Sequence, residues 1–381
     1  MLDRKERIYM KKLILIIVSI VVLIVLGVFA YSKINKRSDI EEPKPLSSTE
    51  GITTVLTLDD EITDNTIWCG TFGLIWNDLK NDLAKQDIVF NPQLKVVENL
   101  NKETFTTEEL SEDSYYKKIG TPSLKLKEEI ERAIKDKFNE TSDILDDFDW
   151  ENRDSLDFFL YVMLKKDFQF EKAFEELENG KFGNYDDVKY FGIKNDETGE
   201  LRKQVDVLYY KSKDDFAIKL KTKQKDEVIL CKNPKGKTFE EIYDNILSKT
   251  EVKSYNMPNN QDNTEKISIY GTLKEGEILK VPNIKLKEKN EIKEIENKKF
   301  QFSDGKIYSI EKALQTIEFE LDRTGGKIKS EAGMMINFES VAIMNEIREF
   351  SIDNTFAIFL IEKGKDKPYF AGRIDDISKF Q

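Results

Sequence analysis

The feature that most constrains this chain is an uncharged apolar segment close to its N-terminus. Residues 13–31, LILIIVSIVVLIVLGVFAY, carry no charged side chain over 19 positions. A helix of this length spans about 30 Å, which matches the hydrocarbon core of a bilayer. Five basic residues precede the segment and three follow it, a bias that favours a cytoplasmic N-terminus. The sequence therefore predicts that most of the chain lies outside the cytoplasm.

Two interpretations of this segment stay open. It is either an uncleaved signal-anchor or a cleaved signal peptide with a processing site at Val28-Phe29-Ala30. We expect the signal-anchor, and a single pass through the cell membrane, because the apolar run is long for a signal peptide. The predicted organisation is then a cytoplasmic stretch 1–12, a transmembrane helix 13–31, a polar linker 32–58 and an extracytoplasmic domain 59–381.

Composition excludes several classes of function. The chain has no histidine and two cysteines, so it can build neither a Ser-His-Asp triad nor a zinc site of histidines or four thiolates. The net charge of −12 argues against a nucleic-acid partner, which requires a basic surface. We expect no enzymatic activity, no metal and no cofactor. We expect Cys69 and Cys231 to be free thiols, with one disulfide between them as the alternative.

Apolar periodicity after the linker predicts an α+β domain. The predicted elements are helices 124–137 and 239–249, a strand 156–164 buried on both faces, and strands 188–193, 205–210, 216–223, 227–231, 266–271, 278–286, 316–322, 355–362 and 368–374. The last two strands form a hairpin. More than thirty residues, from Arg323 to Asn354, separate this hairpin from the strand before it. A connection of this length is uncommon in a compact domain and is usually functional or disordered.

Three segments carry a resemblance to a known family. Residues 350–374 are similar to Phe-x-Ala-Asp-x-Pro-Phe-x-Phe-x-Ile followed by Phe-x-Gly-Arg-Val. Residues 160–174 are similar to Leu-x-Asn-x-x-x-Phe-Lys-Gly-x-Trp-x-x-x-Phe, with Phe170 at the Trp. Residues 320–333, ELDRTGGKIKSEAG, are similar to the hinge Asn/Asp-Glu-x-Gly-Thr-Glu-Ala-Ala. In these segments, and in the order of its elements, the chain resembles a divergent and shortened serpin, a protease inhibitor that acts by loop insertion.

The resemblance implies mixed β-sheets flanked by helices, with a long exposed loop before the C-terminal hairpin. Residues 124–145 would form the helix that lies across the main sheet. An extracellular serine or cysteine protease would cleave the loop, and the N-terminal part of the loop would then insert as a new central strand. The implied hinge residues are Gly325, Gly326, Ile328, Ser330 and Ala332, and the implied scissile bond joins Glu339 and Ser340 within a window from Phe338 to Met344.

The loop sequence permits insertion but departs from the family pattern. Its even-numbered positions from Gly326 to Ala332 are uncharged, and the positions between them carry charges, so one face can be buried. Ile328 is bulkier than the usual small hinge residues. Val162 and Gln315 stand where the family has a buried Asn–His pair, so the loss of that hydrogen bond is expected. The alternative is therefore a non-inhibitory serpin-fold binding or structural protein, and a third hypothesis is an exported domain of unknown role.

Overall fold

Alternating and continuous apolar runs fold into twenty-one strands among the described residues. The strands are β1 Thr53–Thr54, β2 Thr66–Cys69, β3 Tyr115–Gly120, β4 Phe159–Leu164, β5 Asp167–Gln169, β6 Glu175–Phe182, β7 Tyr185–Ile193, β8 Val205–Ser212, β9 Asp215–Lys221, β10 Asp226–Lys232, β11 Val252–Asn256, β12 Thr264–Ser268, β13 Ile278–Pro282, β14 Ile284–Glu291, β15 Lys299–Gln301, β16 Ile307–Ser309, β17 Leu314–Asp322, β18 Gly325–Lys327, β19 Glu349–Ser351, β20 Phe356–Glu362 and β21 Phe370–Ile374. The α-helices are α1 Thr71–Asp78, α2 Lys95–Asn101, α3 Leu124–Phe138, α4 Glu200–Lys203 and α5 Phe239–Lys249. A π-helical segment Leu79–Ala84 continues α1, and single 3₁₀ turns lie at Thr107–Glu109, Glu112–Ser114, Leu145–Asp147 and Ile377–Phe380.

The computed structural model describes residues 51–151, 153–250, 252–256, 264–268, 270–327 and 348–380. The predicted transmembrane segment 13–31 lies outside these ranges. Among the residues within them, no helix combines the length and the apolar character needed to cross a membrane.

The longer predicted helices are confirmed, and their ends follow from their caps. α5 spans the predicted 239–249, and the Thr238 side chain accepts a hydrogen bond from the Glu241 amide at its start. α3 begins after Ser123, which caps it in the same way, and ends before Asn139, which adopts a left-handed φ of 57°. The predicted strand 278–286 is wrong in one respect. It divides at Asn283 into β13 and β14, which belong to different sheets.

The C-terminal hairpin is confirmed and lies inside a seven-stranded sheet of order β1-β2-β21-β20-β10-β9-β8. Every residue of β20, FAIFLIE, is buried, because α5 covers one face of the sheet near Phe359. A second sheet has the order β19-β13-β7-β6. The remaining strands form a four-stranded sheet β14-β17-β18-β5 and the two-stranded pairs β3-β4, β11-β12 and β15-β16.

The predicted linker 32–58 is wrong at its C-terminal end. β1 pairs in parallel with β2, and Val55, Leu56 and Leu58 are buried in the core. The Trp68 indole also donates to the Leu56 carbonyl at 3.1 Å. Burial of these apolar side chains therefore draws residues 53–58 into the folded domain, although their polar neighbours resemble a linker.

Cys69 and Cys231 are free and buried. Burial raises the pKa of both thiols, that of Cys231 to about 11. We predict that neither reacts with Ellman's reagent at pH 8 in the native protein and that both react after unfolding in urea without reductant. Rapid reaction of one thiol in the native state, or no reaction after unfolding, would contradict this prediction.

Candidate functional site

Two strand pairs, β3-β4 and β14-β17, form what we call the two half-sheets, and among the described residues they are linked at one end. β4 pairs with β3, and β17 pairs with β14, but β4 and β17 do not pair with each other. They are joined through β18, which is antiparallel to both β17 and β5. Gly326 lies opposite Leu321 on one side and opposite Phe168 on the other. β18 is thus the first three residues of a strand between two parallel walls.

An open groove continues from β18 between these walls. Its volume is about 840 Å³, and it is lined by β4, by the first residues of β17 and by α1 residues such as Phe72 and Trp76. Among the described residues, no strand pairs with the second edge of β4 or with that of residues 314–319 in β17, and such an edge is a template for strand addition. We take this groove, together with β18, as the candidate functional site.

Glycine is required where β18 enters the joint. Gly325 has a φ of +148°, and a Cβ built on it would lie 2.1 Å from the Phe168 carbonyl oxygen. A Cβ on Gly326 would lie 2.4 Å from the Phe168 ring. Both predicted hinge glycines are therefore part of the strand joint. Ile328, Ser330, Ala332, Glu339 and Ser340 lie outside the described residues.

Backbone hydrogen bonds close the groove at the end where β18 lies, which we call its upper end. The opposite end, beside Phe158, is its lower end. The Phe170 amide donates to the Thr324 carbonyl at 3.0 Å, and the Phe174 amide donates to the Arg323 carbonyl at 2.8 Å. The Phe170 and Phe174 rings pack edge to face, 4.8 Å apart, against Phe191. Phe170 thus keeps the aromatic contact of the family's Trp position without an indole donor.

A polar side chain lies below the middle of the groove. The Gln315 amide nitrogen donates to the Cys69 carbonyl at 3.0 Å and to the Thr71 hydroxyl at 2.9 Å. Val162 has no polar side-chain atom with which Gln315 could bond. Gln315 instead bonds to the start of α1. Its Oε1 is buried without a hydrogen-bond partner among the described residues, which is unfavourable.

A buried ion cluster attaches the segment between β4 and β5 to the seven-stranded sheet. Lys166 lies between β4 and β5, and its Nζ donates to Asp226 at 2.8 Å and also to Glu362. The three side chains are 2–3% exposed. The Tyr369 hydroxyl donates to Asp226 at 2.9 Å, and Ser111 donates to Glu362 through its amide and its hydroxyl.

Two carboxylates share one lysine in this cluster, and their environments differ. Burial raises the pKa of Asp226 despite its bond to Lys166. Burial acts in the same direction on Glu362, but Lys166 and Ser111 outweigh it and lower the pKa of that group. The cluster therefore depends on the lysine, because its removal would leave two buried carboxylates without a cation.

A strap crosses the outer side of the groove. We define the strap as residues 139–151 and 153–158, between α3 and β4. The Lys289 side chain of β14 donates to Asp147 at 2.6 Å. Arg153 forms a bidentate pair with Glu311, with N–O distances of 2.6 and 3.2 Å. Ion pairs of Asp147 and Arg153 thus link the strap to β14 and to the segment just before β17.

Apolar packing covers the outer face of β4 and the lower end of the groove. α3 and the strap bury Phe159 and Tyr161, with the Trp150 and Phe159 rings 4.6 Å apart. This packing confirms that α3 lies across the β3-β4 pair. At the lower end, Phe158 stacks near Phe302 and Tyr308, and it is still 40% exposed.

The other end of the long loop is also anchored. β19 pairs in parallel with β13, at the edge of its sheet. The Arg348 guanidinium binds Glu277 through two hydrogen bonds of 2.6 and 2.9 Å, and Glu277 is 3% exposed. The structure places both predicted hinge glycines in β18. Sequence reasoning missed the groove, the Lys166 cluster and the strap, which depend on contacts between distant segments.

No protein-family model matches the chain, and no curated protein matches it. Several solved structures are similar to it. Serpin48 of the insect Tenebrio molitor is 13% identical, with 70% of this chain and 78% of that chain covered and a TM-score of 0.38. Thyroxine-binding globulin in complex with thyroxine is 11% identical, covers 80% and 90%, and has a TM-score of 0.42. Tengpin, a thermophilic serpin in its native state, is 14% identical, covers 74% and 79%, and has a TM-score of 0.40.

Gly325→Ala tests the strand joint. We expect a loss of about 3 kcal/mol in the free energy of unfolding, because the new Cβ meets a backbone carbonyl that cannot move aside. Gly364→Ala is the matched control, since Gly364 has a φ of +82° with nothing within 4 Å of the built Cβ. The control is expected to lose about 1 kcal/mol. Equal losses in urea unfolding would contradict a packed joint at Gly325.

Lys166→Met tests the ion cluster. We expect a loss of about 3–5 kcal/mol at pH 7, because two buried carboxylates lose their cation. Without it their pKa values in the folded state exceed those of the unfolded chain. Protonation then stabilises the fold, so the deficit shrinks from pH 7 to pH 5. Lys165→Met, at a lysine paired with Glu140 near the surface, is the control and should lose about 1 kcal/mol or less. A deficit that grows towards pH 5 would contradict this account.

Proposed function

We propose that this chain is a serpin-like extracytoplasmic protein that inhibits a serine or cysteine protease through loop cleavage and strand insertion. The observation that carries the proposal is β18. It already pairs with β17 and β5 at one end of a groove in which, among the described residues, no strand lies. Cleavage of the loop would let β18 extend downward as a central strand, while the protease is still attached.

Insertion would be favourable because, in the described part of the chain, the second edge of β4 and that of residues 314–319 in β17 have no strand partner. A strand that extends β18 would pair with β17 on one side and β4 on the other, and each backbone hydrogen bond contributes about 1 kcal/mol. The inner residues of β17, Ile317 and Phe319, are buried, whereas Glu318 is exposed. The inserted strand therefore needs uncharged residues on one face only, which is the alternation of the loop after Gly326.

The intact loop is restrained at both ends. β18 lies at the upper end of the groove, and Arg348 and β19 hold the other end of the loop to β13. β13 pairs with β7, whose Phe191 packs against Phe170 at the same upper end. Residues 328–336 would extend about 30 Å down the groove. The remaining eleven residues up to 347 reach at most about 40 Å, so they would have to return almost fully extended. Cleavage removes this restraint.

The location of the protein is part of the proposal. An uncleaved signal-anchor at 13–31 would hold the folded domain outside the cell membrane, where the loop meets extracellular proteases. The partner is then an extracellular protease, and the membrane contact is made by the N-terminal helix.

The non-inhibitory alternative has one observation in its favour. If the register of β18 continues, Ile328 lies opposite Lys166, so a bulky β-branched residue meets the ion cluster at the first step. Slow insertion would allow the acyl-enzyme to be hydrolysed before the protease is trapped. The protein would then be a substrate, with a binding or structural role.

The deciding experiment incubates the full-length protein, in detergent, with a panel of serine and cysteine proteases. We expect one of them to form a covalent complex that survives denaturing gel electrophoresis. Ser330→Arg places a charge on the inward face and should convert the inhibitor into a substrate. Lys329→Arg, on the outward face, is the matched control and should retain the complex. Cleavage between 330 and 345 without a complex for any protease would overturn inhibition.

A further inference from the structure

The Lys166 cluster brings one amine and two carboxyl groups together inside the core. Asp226 is the first residue of β10 and Glu362 is the last residue of β20, and the two lie directly opposite each other in the antiparallel ladder. Two carboxylates in such a position repel each other unless a cation lies between them. The Lys166 Nζ, which comes from the segment between β4 and β5, provides that cation. The three side chains are 2–3% exposed, so they are shielded from bulk water.

The lysine is held close to an acyl carbon. Its Nζ lies 2.8 Å from Oδ1 of Asp226, so the Cγ of that residue is at most about 4 Å from the nitrogen. Reacting atoms in a productive geometry lie about 3–3.5 Å apart, so a small movement of the lysine side chain is enough to reach it. The Tyr369 ring, whose centroid is 4.9 Å from Nζ, limits the directions in which the amine can turn.

The two carboxyl groups differ in what they can do. Burial raises the pKa of Asp226, and the Tyr369 hydroxyl donates to its Oδ1 at 2.9 Å. A neutral acid with a donor on one oxygen accepts an amine more readily, because the donor stabilises the charge that develops on that oxygen. Burial also acts on Glu362, but Lys166 and the two hydrogen bonds from Ser111 outweigh it and lower the pKa. Glu362 therefore stays a carboxylate and can act as a base.

We propose that Lys166 and Asp226 form an intramolecular isopeptide bond, with Glu362 as the general base. The reaction is a condensation of an amine with a carboxylic acid. The Lys166 ammonium first passes one proton to the Asp226 carboxylate, which gives a neutral amine beside a neutral acid and avoids two desolvated charges. The amine lone pair then forms the bond between Nζ and Cγ, while the π electrons of the C=O bond move onto Oδ1.

Glu362 completes the proton transfers. Its carboxylate accepts one proton from the added nitrogen and passes it to the hydroxyl oxygen of the intermediate. The bond from Cγ to that oxygen breaks, water leaves, and Oδ1 forms the carbonyl of the new amide. The remaining N–H of the amide still donates to the Glu362 carboxylate. The cluster thus loses one water molecule, and its net charge is the same before and after the reaction.

The bond would join two parts of the domain that are distant in the chain. Lys166 and Asp226 are 60 positions apart, and the amide would fasten the segment between β4 and β5 to the seven-stranded sheet. A covalent link persists at high salt and at low pH, where an ion pair weakens. The bond would form whether or not the chain inhibits a protease.

Mass spectrometry of the full-length protein tests the proposal. We expect the denatured chain to be lighter than its sequence by the mass of one water molecule. After digestion with trypsin, residues 166–172 and 226–232 should be recovered as one joined species, because trypsin does not cleave after an acylated lysine. Fragmentation of this species should place the link between Lys166 and Asp226.

Three variants separate the bond from the fold. Glu362→Gln keeps an acceptor for Lys166 and Ser111 but removes the base, so the bond should form at least about a hundredfold more slowly. Lys166→Met should have the full mass and no joined peptides. Glu227→Gln is the matched control, since Glu227 is the next residue of the same strand and pairs with Lys219. This control should keep the water loss and the joined peptides.

Other outcomes would contradict the proposal. Separate peptides from a wild-type chain of full mass would overturn the bond. Water loss without joined peptides, as in a succinimide, would overturn it as well. A joined species of 166–172 and 349–363 would show that Glu362 is the acyl group and would overturn the assigned roles. Bond formation at the wild-type rate in Glu362→Gln would overturn the role of Glu362 as the base.

Discussion

The structure depends on the strand joint at Gly325 and Gly326. Through these residues β18 links β17 to β5, and within the described part of the chain this is where the two half-sheets share a backbone ladder. Beyond the joint, α1 lines the groove, and α3 and the strap pack on the outer face of β4. Among the described residues, the second edges of β4 and of residues 314–319 in β17 have no strand partner, which is unfavourable for backbone groups shielded from water.

Charged groups stabilise the walls in this open arrangement. Lys166 ties the β4–β5 strand to Asp226 and Glu362 of the seven-stranded sheet, and the strap ties α3 to β14 through Asp147 and Lys289. Buried ions have strict geometry, so the Lys166 cluster resists sliding of its strand more than an apolar residue would. The ion pairs of the strap are partly exposed, so each contributes little by itself. Opening of the groove would therefore begin at the strap, while the Lys166 cluster would still attach its strand to the seven-stranded sheet.

Much of the fold could be predicted from the sequence where a segment carries its own signal. The 3.6-residue periodicity and the caps of α3 and α5, and the doubly buried run of β20, depend on neighbours in the chain. The family resemblance singled out Gly325 and Gly326, which the structure places in β18, and their hinge role stays a prediction. Residues 53–58 were assigned to a linker because a few apolar residues among polar ones are a weak signal. The sequence likewise could not show that Asp147 bridges two half-sheets, since Lys289 lies more than a hundred residues away.

The sequence by itself determined the longer helices, several of the strands, the alternation of its long loop and the absence of histidine chemistry. These follow from residue types and spacings, which act over a few positions. Only the tertiary structure decided that, among the described residues, β4 and β17 do not pair with each other, that the Gln315 Oε1 has no hydrogen-bond partner, and that Lys166 is buried with two acids. Each of these results from segments that meet in space after long separations in the chain. Local propensity does not specify such meetings, because the burial of apolar surface across the whole domain selects them.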